Sequence, residues 1–105
     1  MFTETVALHV WNRRLSEAAE SILVRWPWLR VEQVGHELHL RTPYPIDATA
    51  AVTLQGTIPV FRIGSASAPV GTIPEARAAI DAVKALCDAM DLIAIHVHGI
   101  REVGD

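Results

Sequence analysis

Among the 105 residues there is a single cysteine, Cys87, so no internal disulfide can form, and its place in an apolar helical stripe predicts a buried, inert thiol. Lysine is nearly missing as well: Lys84 stands against eight arginines. Basic charge is not in excess, since 9 Lys and Arg face 12 Asp and Glu for a net charge of -3. That balance argues against a general nucleic-acid binder, whose affinity comes from cations neutralising phosphates. No run approaches the roughly 18 apolar residues of a membrane span, and Met1 to Glu4 has no basic region leading into an apolar one. A soluble, cytoplasmic protein without membrane contact is expected.

Chemical motifs are equally sparse. No H-E-x-x-H occurs, and Ser65 and Ser67 have no identifiable base. The small-residue loop from Gly64 to Gly71 lacks a lysine after its second glycine, and Glu75 competes for the same N-H donors, which weighs against a phosphate site.

What is present is a core. Half the residues are hydrophobic and 20% are charged, the composition of one packed domain spanning 1–105. Thr3 to Trp11 alternates, with Val6, Leu8 and Val10 on one side and Thr5, Ala7, His9 and Trp11 on the other, and predicts a first strand. Asn12 then suits an N-cap for a helix over 13–26, ended by Pro27, with Trp26 in its core stripe. Arg13 and Arg14 would oppose the dipole of that helix's first turn.

Leu29 to Val34 and Glu37 to Thr42 flank Gly35-His36, which fits a two-residue type II′ hairpin. Its register sets Val31 opposite Leu40, Glu32 opposite His39 and Arg30 opposite Arg41. A second hairpin is expected from Ala50–Leu54 and Thr57–Ile63 around Gln55-Gly56, with Pro59 marking an edge strand or a bulge. Thr72 and Glu75 form a capping box for a helix over 73–90, striped by Ala76, Ala79, Ile80, Val83, Leu86, Cys87 and Met90. Arg77, Asp81, Lys84 and Asp88 line its opposite, solvated side. Leu92 to Ile100 reads as a closing strand, with His96 and His98 side by side on one face.

These elements predict an α+β fold: a two-layer sandwich with two helices on one face of a mostly antiparallel sheet of four to six strands. The preferred topology is ferredoxin-like, a split βαβ unit with an added hairpin. The other sheet face would then carry His9, Trp11, Trp28, Arg30, Glu32, Glu37, His39, Arg41, His96 and His98. Arg30 facing Arg41 is its sharpest detail, because like charges across a strand pair destabilise unless an anion lies between them. Glu32 or Glu37 could supply it internally, or another molecule could.

Two functions follow. The first is a non-enzymatic protein-binding module acting through Trp11, Arg13, Arg14, Trp28, Arg30, His39 and Arg41, since Trp and Arg dominate binding hot spots. Its partner is another protein or a second copy of the chain, and an inhibitor or accessory protein of a phage or mobile element would fit this size and acidity. The second is a metal- or ligand-binding domain, with zinc as the candidate cofactor held by His9, His96 and His98, provided the first and last strands are neighbours. The first reading requires no cofactor.

Overall fold

The computed structural model describes residues 2–56 and 58–98. The order is α1 (Phe2–Arg25), β1 (Arg30–Val34), β2 (Glu37–Arg41), β3 (Asp47–Gln55), β4 (Ile58–Ser67) and α2 (Ile73–Val97). The α+β class and the largely antiparallel sheet are as expected. The ferredoxin-like order is not, for all four strands lie between the helices and pair as an antiparallel meander, β1-β2-β3-β4.

Both terminal strands of the sequence reading are helix. Thr3 to Trp11 belongs to α1, because no glycine or proline interrupts residues 1–26 and a strand cannot run into a helix without a turn between them. The helical period is carried by a different set, Trp11, Leu15, Ala18 and Ile22, all fully buried, with Val10 packed partly buried against the same core. Asn12 is thus mid-helix, and Arg13 and Arg14 escape the dipole penalty of a first turn. Leu92 to Val97 likewise continues α2, since Asp91 does not break a helix and Leu86, Met90, Ile93 and Val97 extend one buried stripe. Gly99 and Ile100, Thr57, and the side chains of Thr5, Val6 and Ala7 lie outside the described residues.

The N-cap of the expected capping box is present: the Thr72 hydroxyl accepts from the Glu75 N-H at 3.3 Å, with Pro74 in the first turn, while the Glu75 carboxylate accepts from the Thr72 hydroxyl at 3.0 Å and not from its N-H. α2's buried stripe runs through Ala82, Ala85, Leu86, Ala89 and Met90, one step round the helix from Cys87 and Ile80, which are exposed. Burial of Cys87 is therefore corrected.

The first hairpin has the expected register, with Arg30 paired to Arg41, Val31 to Leu40 and Glu32 to His39. Gly35 takes φ 59° and His36 a negative φ, as a type II′ turn requires. The second hairpin turns one residue later than expected. Gly56 (φ 63°) follows a Gln55–Ile58 pair, so Arg62 pairs with Ala51 where the expected register set it against Thr49. β4 also runs on through Gly64-Ser65-Ala66-Ser67, pairing with Asp47 and Ala48 beyond an irregularity between Ala48 and Ala50.

Leu38, Leu40, Ala48, Ala50 and Val52 of β2 and β3 join the α1 and α2 stripes and Leu29 in one core. Phe61 and Ile63 of β4 pair with Val52 and Ala50 and so share the core side, yet both remain exposed. Four contacts fix α1 on the first hairpin: Trp11 Nε1 donates to the His36 carbonyl at 2.7 Å, Gln33 Nε2 to the Asn12 carbonyl at 3.2 Å, Ser16 Oγ to Gln33 Oε1 at 2.8 Å, and His36 Nδ1 lies 3.1 Å from Asn12 Oδ1.

Candidate functional site

Strand alternation sends the residues between the core positions to the other sheet face. Two rows cross it. One carries Arg30, Arg41 and Thr49 on adjacent strands, and the next carries Glu32, His39, Ala51 and Arg62. The three arginines, Glu32 and His39 are exposed, while Thr49 and Ala51 are half-buried between them. Together with Gly64 they line a depression of about 790 Å³.

Size sets its shape. Thr49 and Ala51 form a low floor along β3, with Arg41 and His39 on β2 and Arg62 on β4 as walls. A Cβ on Gly64 would run into the Thr49 hydroxyl, so the backbone approaches that residue only because no side chain stands there.

The charges are unevenly matched. Glu37 Oε1 lies 2.8 Å from His39 Nε2, and Asp47 Oδ1 lies 3.7 Å from Arg41 Nε; both pairs are about half-exposed. Among the described residues these are the ion pairs, so neither Glu32 nor Glu37 bridges Arg30 and Arg41. Arg41 approaches Asp47 only to 3.7 Å, at Nε, beyond hydrogen-bond distance.

Of the residues singled out in the sequence, Arg30, His39 and Arg41 are brought together here, and the others are dispersed. Trp11 is fully buried and serves the core, because it lies on a helix stripe and not on a strand face. Arg14 donates from Nη1 to the His98 carbonyl at 2.8 Å and the His96 carbonyl at 3.3 Å, satisfying acceptors at the end of α2. Arg13 is exposed on α1. Trp28 sits in the turn before β1 and is 43% exposed, whereas Trp26 packs partly buried against the core beneath the Arg25 guanidinium.

The histidine trio loses its geometry. His9 is exposed on α1, His96 is in the last turn of α2 within 3.5 Å of Ser21 Oγ, and His98 is the C-cap. Residues two apart on a helix do not face each other, so the shared strand face that zinc binding rested on is absent. Among the described residues no group of three or more His, Cys, Asp or Glu side chains could hold a metal ion. None of the described helices is long and apolar enough to cross a membrane.

Sequence reasoning missed Arg62, Thr49, Ala51 and Gly64. The turn glycine at 56 carried the signal for Arg62, since placing it first in the loop moves Arg62 two residues along β3, into line with His39. The chain matches no family model, no curated protein and no solved structure.

Proposed function

We propose that this chain is a non-enzymatic protein-recognition module whose working surface is the charged sheet face centred on Arg30, Arg41 and Arg62. One observation carries the reading: side chains from β1, β2 and β4 meet around a single open depression while the opposite side of the same sheet supplies the core. Guanidinium, imidazole and hydroxyl groups with one carboxylate make a lining suited to holding a ligand. No nucleophile, base and orienting group are arranged together in it. Arginine is over-represented in binding hot spots because its stem packs while its fork bonds. Trp28, exposed two residues before Arg30 in the chain, is a further aromatic candidate for contact, though it does not line the depression.

Site-specific photocrosslinking in cells that express the protein tests this. A benzophenone amino acid at Glu32, in the depression, is expected to trap a discrete partner, and one at exposed Ala78 on α2 is not. Equal trapping from both positions, or none from Glu32, would overturn the reading.

A further inference from the structure

We infer that the depression takes an extended, acidic segment of a partner protein, lying along β3 with its carboxylates held by the arginines; this rests on the recognition role proposed above. The first support is an unresolved repulsion. Arg30 stands directly opposite Arg41, and no carboxylate of the described residues comes within ion-pair distance of Arg30 or Arg62. Like charges in that position destabilise the hairpin until an anion arrives. A carboxylate fits, because the planar fork of a guanidinium matches its two oxygens and Asp47 comes only within 3.7 Å of Arg41, beyond hydrogen bonding.

The second support is dimensional. β2 and β4 flank β3 at about 4.8 Å on either side, so the arginine-bearing walls stand roughly 10 Å apart, room for one extended chain over the low floor of Thr49 and Ala51. Alternate residues of an extended peptide repeat at roughly 7 Å, which is also the spacing between the Arg41 row and the His39 row. Every second side chain of such a segment would therefore meet a row of the face. Gly64 leaves the trough open at its Thr49 end.

Acidic peptide is favoured over nucleic acid by the same residues. With Glu32 among its few cations, the lining suits the spaced charges of a peptide, which can set a neutral residue there, better than the dense, regular charge of a polyphosphate. Among the lining residues there is no aromatic ring on which a base could stack.

The test uses the full chain and fluorescence anisotropy at low ionic strength, with a labelled peptide of alternating Gly and Glu as the probe. Saturable binding is expected, weakened about tenfold or more in a Gly and Gln peptide of equal length and weakened by added salt. Arg41→Gln and Arg62→Gln should each cost about tenfold in affinity, with the thermal midpoint unchanged in Arg62→Gln and slightly raised in Arg41→Gln, which relieves the repulsion from Arg30, and Arg41→Lys, which keeps the charge but loses the fork, should fall between in affinity. Arg13→Gln on α1 should bind like the parent. Equal binding of the Gln peptide, equal or tighter binding of single-stranded oligothymidylate, equal loss in Arg13→Gln, or no binding of the Glu peptide would each overturn the inference. A partner trapped from Glu32 together with no peptide binding would leave the recognition role standing and remove only its acidic ligand.

Discussion

Trp11 is where the packing of α1 can be measured. It is fully buried, and its Nε1 donates to the His36 carbonyl at 2.7 Å, so truncation opens a cavity between α1 and the first hairpin and breaks the bond joining them. Trp11→Ala should cost about 3–5 kcal/mol, a large share of the roughly 5–15 kcal/mol that holds a domain of this size together. Trp11→Phe keeps most of the volume and loses the hydrogen bond, for about 1–2 kcal/mol. Trp28→Ala, at a residue 43% exposed, should cost no more than about 1 kcal/mol. Urea titrations followed by far-ultraviolet circular dichroism would measure all three, with equal slopes confirming that the midpoint shift reports stability. If Trp11→Ala stays within about 1 kcal/mol of the parent, α1 does not pack through this face, and if Trp28→Ala costs as much as Trp11→Ala, Trp28 is a core residue and not an exposed one.

Three further outcomes test separate parts of the account. Arg14→Met removes the donors to the His96 and His98 carbonyls while keeping an apolar stem, and should cost about 1 kcal/mol and speed amide exchange in the last turn of α2; unchanged exchange there would contradict the capping role. Gly64→Ala should destabilise by about 1–2 kcal/mol, although alanine ordinarily suits a strand better than glycine, and Thr49→Ala should recover most of that loss in the double variant; independent effects would show that the two residues do not touch. Cys87, exposed on α2, should react with a thiol reagent in the folded protein at a rate near that in denaturant, and strong protection would place it back in the core.

The parts of the fold that could be read in the sequence are those fixed by neighbours in the chain. Gly35-His36 is a two-residue loop, and loop length alone sets every pair of the first hairpin, including Arg30 with Arg41. Thr72 and Glu75 announce the start of α2 by side-chain hydrogen bonds three residues apart. Thr3 to Trp11 is ambiguous because the alternating run is too short to settle its period; the helical signal lies in Trp11, Leu15, Ala18 and Ile22 and in the missing turn residues before Asn12. The same ambiguity concealed the continuation of α2 through His96. Arg62 depends on two registers. One is set by Gly56; the other joins β2 to β3 across residues 42–46, where Thr42 bonds the Ile46 and Ala48 backbone around a cis Tyr44–Pro45 peptide. No local pattern fixes that second register, so the arginine cluster exists only once tertiary structure brings β1, β2 and β4 together.

The central claim is that these arginines form a recognition surface and contribute little to folding. The double variant Arg41→Glu with Arg62→Glu, carrying the crosslinker at Glu32, puts it to the most direct test. Loss of the trapped partner with a thermal midpoint within a few degrees of the parent is the expected result, since surface charges seldom change stability by more than about 0.5 kcal/mol. Undiminished trapping from Glu32 in that variant would contradict it.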